Sequence, residues 1–248
     1  MNYKHLFKNT PPFLWINLDR SPDRKKKMED MFEKNGITNH TRIPGFDGKY
    51  NADFYIKCPH KSYTYFKNTE YAVTCSHLKA LDYFVNNIDS DVCFICEDDL
   101  AFDYCKYWKH DINEYINKAP KDFNILQFSI ITSINNIKNI NINDFVNIKL
   151  GLFWSTGCYL IKKQAAIEIL NNVNITDNKY DFSRARKNID ILADWYIYNI
   201  KNTYTLPLFT YKIYPTLVGN NTYLYVDSVA ESHIKSKKNI QYLWNNNL

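Results

Sequence analysis

The sequence alternates short apolar runs with segments of helical periodicity, and this alternation limits the possible folds more than any other feature. Apolar runs typical of buried strands occupy Phe13 to Leu18 and Val92 to Cys96, and charged residues follow both. Segments such as 70–85 and 163–170 repeat apolar residues at the three- and four-residue spacing of one helix face. Strands that alternate with helices predict an α/β domain with a mainly parallel sheet.

Caps and turns predict where the other elements begin and end. Ser21-Pro22 is typical of a helix start, and Asn35-Gly36 is typical of its end. The remaining predicted elements are helices over 104–117 and 188–200, strands over 41–43, 125–129, 152–161 and 206–215, and a loop or pair of irregular strands over 130–147.

Composition narrows the class of protein. At 248 residues the chain is predicted to form a single domain. The net charge of +5 suits a phosphate-bearing ligand but is too small to indicate nucleic-acid binding. No signal-peptide pattern opens the sequence, and no run reaches the about 20 apolar residues of a membrane span, so a cytoplasmic protein is expected. Cys93 and Cys96 lie three apart in a strand and are predicted to be buried thiols on opposite faces.

The strand over 92–96 runs directly into Glu97, Asp98 and Asp99. Three adjacent carboxylates at the end of a buried strand repel one another unless a cation joins them. Mg²⁺ or Mn²⁺ prefers such oxygen ligands and would also neutralise a diphosphate. Glu97 and Asp99 would share one face of an extended segment, so we expect them to bind the metal and Asp98 to point away. The alternative is a solvated acidic loop.

A second polar segment, Asn17 to Arg24, follows the first predicted strand. Asp19 can accept hydrogen bonds from a ribose or a base edge. Arg20 and Arg24 can reach phosphates near the N-terminus of the following helix. The alternative is structural: Arg24 is an ordinary first-turn residue, and Arg20 pairs with Asp19.

Ser76 and His77 lie on the predicted helix over 70–85. A single histidine on a largely apolar helix is more often a satisfied core residue than a ligand. These two residues are candidates because the same helix leads into the strand that ends in Glu97.

Several blocks in order resemble glycosyltransferase family 25, the group of lipooligosaccharide sugar transferases and procollagen galactosyltransferases. Trp15 to Arg24 resembles the family's INLDRxxDR opening, and Ile43 to Gly48 resembles its A-x-D-G turn. Glu70 to His77 resembles its E-x-G-C-x-x-S-H block, although Ala72 or Val73 replaces the glycine. Cys93 to Asp99 resembles its apolar strand ending in EDD.

Further blocks extend the resemblance to roughly residues 12–235. Ser155 to Ile161 resembles the T-G-A-Y-L-I segment, and Asp190 falls near a later V-D. The tail departs from the family pattern because Asp227 precedes Ser228 instead of following a serine. His233 could reach a metal or phosphate, but a free tail histidine is the simpler interpretation.

The resemblance implies a GT-A fold within one domain, with a Rossmann-like nucleotide half over about 12–100 and an acceptor half over about 101–235. It also implies a UDP-sugar donor, often UDP-galactose, a Mn²⁺-type cofactor and inversion at the anomeric carbon. The implied site consists of metal ligands Glu97 and Asp99 and of donor-binding residues Asn17, Asp19, Arg20, Arg24, Ser76, His77 and Asp98.

Inversion needs a carboxylate that acts as general base on the acceptor hydroxyl. Asp190 and Asp194 are the candidates, because their four-residue spacing places them on one face of the predicted helix over 188–200. Asp190 is preferred because it matches the family position. A solvated helix side remains the alternative.

Two other function classes remain open. A metal-dependent phosphohydrolase or nucleotidyltransferase also uses carboxylates and arginines, but the sequence has no Gly-rich phosphate loop. A catalytically inactive nucleotide-sugar-binding module would be free to lose mutually repelling acids. A glycan end and a hydroxylysine in a collagen-like chain both fit as acceptors.

Overall fold

The computed structural model describes residues 2–49, 55–57, 68–137, 139–148, 153–177, 179–184, 191–214 and 225–246. The strands are β1 (Phe13–Asn17), β2 (His40–Pro44), β3 (Tyr55–Lys57), β4 (Val92–Glu97), β5 (Leu100–Ala101), β6 (Ile125–Gln127), β7 (Val146–Asn147), β8 (Cys158–Lys162), β9 (Asn174–Thr176), β10 (Lys179–Asp181), β11 (Thr203–Thr205) and β12 (Thr210–Tyr211). The helices are α1 (Pro22–Lys34), α2 (Asn68–Asn87), α3 (Ile112–Lys118), α4 (Ile134–Ile137), α5 (Lys163–Leu170), α6 (Ala193–Ile197) and α7 (Tyr225–Asn246).

A seven-stranded sheet in the order β2-β1-β4-β8-β6-β11-β7 forms the centre of the protein. Strands β2, β1, β4, β6 and β11 run in one direction, whereas β8 and β7 run in the other. Smaller sheets of order β3-β10-β9 and β12-β5 accompany it. The expected α/β class, with a mixed and mainly parallel sheet flanked by helices, is confirmed.

Strand β1 shows why the sheet has a core on each face. Its residues are all buried, and successive side chains point to opposite faces. Phe13 and Trp15 pack with Phe32 of α1, whereas Leu14 and Ile16 belong to the core that contains α2 and α5. Side chains on both faces of such a strand therefore pack against helices, which is why its apolar residues are continuous and do not alternate with polar ones.

The two cysteines of β4 follow the same rule. Cys93 lies in the α2-side core and Cys96 in the α1-side core, and both are free thiols. Burial raises the pKa of Cys93 to about 12 and that of Cys96 well above its usual value. The prediction of buried thiols on opposite faces is confirmed.

The predicted helix over 104–117 is wrong in its first half. A short 3-10 helix, Cys105–Tyr107, is followed by extended backbone at Trp108 before α3 begins. Asp111 caps α3 by accepting a hydrogen bond from the Glu114 N–H at 2.9 Å. The apolar spacing over 104–117 is compatible with one helix, but the Asp111 cap starts a separate helix within it.

Four further predictions need correction. Within the strand expected over 206–215, the described residues form only the two-residue strand β12, and β11 lies just before that range. The described part of the helix expected over 188–200 begins only at Ala193. The segment 130–147 contains α4 and β7. The C-terminal segment is not a tail, because α7 packs Ile240 and Trp244 into the α1-side core.

Other predicted elements are confirmed, namely β1, α1, β2, α2, β4, β6 and α5, and Gly36 adopts a φ of +69° beyond the end of α1. Within the described ranges, no helix combines the length and apolar character that a membrane span requires.

Candidate functional site

The candidate residues meet at one edge of the central sheet. Strands β1 and β4 are parallel neighbours, so the residues that follow Asn17 and Glu97 emerge side by side. Strand β8 is antiparallel to β4, so the turn that precedes it, Trp154–Gly157, lies at the same edge. The Glu97 N–H donates to the Gly157 carbonyl at 3.1 Å and joins the two.

Asp98 is held entirely by protein groups. Asn17 donates from Nδ2 to one oxygen of Asp98 at 2.6 Å, and Arg24 of α1 forms an ion pair with the other. Only 7% of the Asp98 side chain is exposed. Burial raises the pKa of Asp98, and the Arg24 charge and the Asn17 hydrogen bond offset this only in part. Asp98 therefore connects β1, α1 and β4.

Asp19 and Arg20 lie at the exposed rim of this edge and pair with different partners. Arg42 of β2 forms an ion pair with Asp19 and donates from Nε to Asn17 Oδ1 at 2.8 Å. Arg20 forms an ion pair with Asp47. The Asp19 side chain is 79% exposed and the Arg20 side chain 45% exposed, so both can meet a ligand from solvent.

Glu97 is positioned by two neighbours that both reach its Oε1 atom. Thr156 donates from Oγ1 at 2.9 Å, and His77 Nε2 lies at 3.4 Å. Burial raises the pKa of Glu97, but the contacts with His77 and Thr156 and the charge of Arg24 outweigh it, so the net pKa is lowered. An ionised Glu97 is therefore the favoured state.

His77 is fully buried, and its Nδ1 lies 3.2 Å from the Tyr159 hydroxyl. The structure places it behind Glu97, at the interface of α2 with the sheet. A direct contact of His77 with a donor stays a prediction.

Asp99 has an oxygen without a partner. Its Oδ1 atom is buried and makes no hydrogen bond to any described residue. Burial and then the negative charge of Glu97 raise the pKa of Asp99 well above its usual value. An unpaired buried carboxylate oxygen is costly, so this position favours a cation or a proton.

Ser76 connects α2 to the turn that carries Asp47. Its hydroxyl accepts from the Phe46 N–H at 2.9 Å and donates to the Ala72 carbonyl at 2.6 Å. A Cβ on Gly45 would lie 3.1 Å from Ile16 Cγ2, so the turn lies close against β1, and a larger residue would require Ile16 to shift. Ser76 is buried and positions this turn. Its role in donor binding stays a prediction.

Asp194 lies in the first turn of α6 and reaches the turn before β8. Its Oδ2 accepts from the Ser155 N–H at 3.4 Å, and its Oδ1 accepts from the Trp195 N–H at 3.0 Å. Burial raises the pKa of Asp194, and the charge of Glu97 raises it further. Glu97 and Asp194 therefore share one electrostatic environment.

Asp190 lies outside the described residues. The argument that one helix face carries Asp190 and Asp194 is wrong, because Ile191 is not helical and Leu192 is the extended N-cap of α6. The assignment of either residue as a base stays a prediction.

The structure adds residues that the sequence interpretation missed. The ring of Tyr214 lies 4.6 Å from the Arg24 guanidinium and 5.0 Å from Lys27 Nζ. Arg42 had a sequence signal, since it is a charged residue inside the predicted strand over 41–43. Thr156 lies in the block that resembles the T-G-A-Y-L-I segment, but that block did not indicate its contact with Glu97. Tyr214 had no signal, because its contact joins distant segments.

His233 is not a free tail residue. It lies on α7, is half-buried, and its carbonyl accepts from the Tyr211 hydroxyl at 2.8 Å. Burial lowers the pKa of His233, and the negative charge of Glu97 opposes this effect. Helix α7 thus brings a histidine into the electrostatic range of the carboxylates. The side chain of Asp227 lies outside the described residues.

One observation, the unpaired oxygen of Asp99, fits a divalent cation at this site. Among the described residues, no three His, Cys, Asp or Glu side chains cluster closely enough to hold a metal on their own. The pair Glu97 and Asp99 nevertheless offers oxygen ligands, including the unpaired Asp99 Oδ1. Further ligands would have to come from a substrate or from water.

The model of glycosyltransferase family 25, described as an LPS biosynthesis protein family, matches residues 10–184. The chain belongs to glycosyltransferase family 25. The family 25 match includes β1, β4 and the turn before β8, and it ends before α6 and α7. Family membership supports transferase activity.

Solved structures resemble this family 25 chain only weakly. A197 from STIV is 13% identical, with 83% of this chain and 87% of that chain covered and a TM-score of 0.41. Galactosyltransferase LgtC in complex with donor and acceptor sugar analogues is 11% identical, with 91% and 96% covered and a TM-score of 0.33. The bifunctional glycosyltransferase WbbM is 8% identical, with 94% and 45% covered and a TM-score of 0.34. These TM-scores are too low to carry an argument about function. Among curated proteins, none matches the sequence.

Proposed function

We propose that this family 25 protein transfers a hexose, with galactose favoured, from a UDP-sugar to a glycan or hydroxylysine-type hydroxyl, with inversion and with Mn²⁺ or Mg²⁺ bound. The observation that carries the proposal is the unpaired, buried Asp99 Oδ1 next to Glu97. An ionised Glu97 and an Asp99 with one unpaired oxygen, at the carboxyl end of a parallel strand, suit a cation that also binds a diphosphate.

Glu97 and Asp99 would hold the cation, while Asp98 is already neutralised by Arg24. When bound, the cation would stabilise the negative charge that develops on the departing diphosphate. The division of the triplet supports this assignment, because among the described residues only Asp98 of the three has an arginine or lysine as its ion-pair partner.

Donor binding would use the rim of the same edge. Asp19 is exposed enough to accept hydrogen bonds from a ribose or a base edge. Arg20, the next residue, is also exposed and can bind a phosphate. Asn17 and Arg24 are engaged with Asp98, so they would act by fixing the edge and by contributing positive potential.

Asp194 is our candidate for the general base among the described residues. Its raised pKa makes it a stronger proton acceptor than an exposed aspartate, which suits abstraction of a proton from an acceptor hydroxyl. Its hydrogen bonds from the Ser155 and Trp195 N–H groups fix its orientation. Asp190, the candidate that the sequence resemblance prefers, lies in the segment outside the described residues.

The test is UDP release across a panel of UDP-sugars, with Mn²⁺ or with EDTA, in the presence and absence of acceptor glycans and hydroxylysine peptides. We expect metal-dependent release from UDP-galactose that an acceptor accelerates. Metal-dependent UDP binding without turnover on any acceptor would favour the inactive binding module. Phosphate release from nucleotides without sugar transfer would favour the phosphohydrolase.

A matched pair of variants tests the metal ligands. Asp99→Asn removes a ligand charge with little change of shape, and we expect kcat/KM to fall roughly 100-fold or more. The control, Asp103→Asn, changes an exposed aspartate four residues after Asp99 that pairs with Lys237. It should leave kcat/KM unchanged. Normal activity of Asp99→Asn would contradict the metal assignment.

A further inference from the structure

We propose that the turn Trp154–Gly157 is a positioning element that sets the spacing between the Glu97 and Asp194 carboxylates, and that Thr156 is its principal positioning residue. The inference rests on the proposed function, because it concerns how a metal-ligating carboxylate and a base are aligned. Neither Thr156 nor Ser155 is assigned a contact with substrate.

Two adjacent residues of this turn reach carboxylates from different parts of the chain. Thr156 Oγ1 donates to Glu97 Oε1 at the end of β4 at 2.9 Å. The Ser155 N–H donates to Asp194 Oδ2 at the start of α6 at 3.4 Å. Because Ser155 and Thr156 are consecutive, a shift of the turn would move both hydrogen bonds together.

The backbone of Ser155 is strained and held in place. Its φ of +94° lies in the region that favours glycine, and for another residue this conformation persists only where neighbours impose it. The Ser155 carbonyl accepts from Gln127 Nε2 at 3.0 Å and from the Tyr198 hydroxyl at 2.8 Å. Since Gln127 is at the end of β6 and Tyr198 directly follows α6, the turn is fixed to both elements.

Gly157, the last residue of the turn, is closely packed against Ser155 and Ser129. A Cβ on Gly157 would lie 3.0 Å from Ser155 Oγ and 3.2 Å from Ser129 Oγ. The Gly157 N–H donates to Ser155 Oγ at 3.0 Å, and its carbonyl accepts from the Glu97 N–H. The turn is therefore attached to Glu97 through its backbone as well as through Thr156.

Occupation of Glu97 Oε1 by Thr156 has a chemical consequence. With Oε1 engaged by Thr156 and His77, the carboxylate is fixed in rotation and its other oxygen is the one available to a cation. Hydrogen bonds to a metal ligand of this kind typically change metal affinity by about 10–100-fold.

The experiment compares Thr156→Val, which keeps the shape and removes the donor, with Thr156→Ser, which keeps the donor. Mn²⁺ binding is measured by calorimetry on the full-length protein without donor, and kcat and KM are measured with the UDP-sugar that the wild type uses. We expect Thr156→Val to bind Mn²⁺ about 10-fold more weakly. Its kcat should fall while KM for the acceptor stays within about twofold, because the turn aligns the two carboxylates for the reaction and does not contact the bound acceptor. Thr156→Ser should restore both values.

Thr203→Val is the matched control for loss of a buried threonine hydroxyl. Thr203 is 2% exposed, donates to the Ile200 carbonyl at 2.9 Å, and begins β11 at the opposite edge of the sheet. It should lower the Tm by an amount similar to Thr156→Val and leave Mn²⁺ affinity and kcat unchanged. An equal loss of Mn²⁺ affinity in both variants would show a general effect on stability and would overturn the inference.

Coupling between the two carboxylates gives a second readout. If the turn aligns them, Thr156→Val should lower kcat much less in an Asp194→Asn background than in the wild type. Additive effects would overturn the alignment. A wild type that neither binds Mn²⁺ nor releases UDP would refute the proposed function and this inference with it. A wild type that does both, with a Thr156→Val variant identical to it, would refute the inference alone.

Discussion

Arg24 of α1 and Asp98, the residue after β4, form an ion pair at the edge of the sheet, with 19% and 7% of their side chains exposed. The pair divides the acidic triplet into two parts. Asp98 is neutralised inside the protein, whereas Glu97 and Asp99 have no such ion pair with Arg24, and the charge of Glu97 adds to burial in raising the pKa of Asp99. The chemical capacity of the site depends on this division.

Removal of one partner of that ion pair should be strongly destabilising. Arg24→Met keeps an unbranched apolar chain but removes the guanidinium that lies over Tyr214 and pairs with Asp98, so Asp98 stays buried without a cation. We expect the free energy of unfolding to fall by about 3 kcal/mol in urea titrations. Lys26→Met, which removes an exposed pair with Asp30, should change it by less than about 0.5 kcal/mol. Equal effects of the two variants would show that the buried Arg24–Asp98 pair contributes no more to the free energy of unfolding than the exposed Lys26–Asp30 pair.

Asp99→Asn should stabilise the metal-free protein. The pKa of Asp99 is raised in the fold, so its ionisation opposes folding as the pH rises through that pKa, and a neutral amide removes the penalty. In EDTA at neutral pH we expect the Tm of Asp99→Asn to equal or exceed that of the wild type. In Mn²⁺ the wild type alone should gain Tm, since binding to the native state stabilises it. A lower Tm of the variant in EDTA would contradict the unpaired state of Asp99.

His40 should make the fold less stable in acid. Trp15 donates from Nε1 to His40 Nδ1 at 3.2 Å, and burial lowers the pKa of His40 below 6.5, opposed in part by Glu29. The unfolded chain therefore binds a proton first, and stability is lost as the pH falls below about 6.5. Urea unfolding at a series of pH values should show a smaller acid-side loss for His40→Gln than for the wild type. Identical pH profiles would contradict this role of His40. His233, whose pKa burial also lowers, contributes the same pH dependence of stability to both proteins and does not affect the comparison.

Helix α7 should be needed for folding, although it lies beyond the family match. Trp244 is 3% exposed, stacks on Tyr107 with ring centroids 6.1 Å apart, and donates from Nε1 to the Pro207 carbonyl at 3.0 Å. We expect Trp244→Ala to lower the free energy of unfolding by about 3–5 kcal/mol. Trp244→Phe loses mainly the hydrogen bond and should lower it by about 1 kcal/mol.

A control for the Trp244 variants lies on the same helix. Tyr242 is 67% exposed, so Tyr242→Ala should leave the unfolding midpoint close to that of the wild type. A cooperative transition that is unchanged in Trp244→Ala would show that α7 is not part of the main core.

Local patterns were sufficient for the elements whose signals lie within a few residues. The continuous apolar runs of β1 and β4 and the capping signals of α1 predicted those elements, because both faces of the sheet are covered by helices. The same local patterns could not separate the 3-10 helix at Cys105–Tyr107 from α3, or place the short strands β11 and β12, since tertiary packing and a single cap decide those boundaries. They also gave no sign that α7 belongs to the core.

The sequence alone determined which residue types stand at the edge of the sheet, because strand ends and their polar residues are adjacent along the chain. It placed Glu97, Asp98 and Asp99 after β4 and Asn17 to Arg24 after β1. Only the tertiary structure decided their partners: Asp98 with Arg24, Asp19 with Arg42, and Glu97 with Thr156. Those pairings join residues from separate elements, and the packing of helices and strands, not local sequence, sets the distances between them.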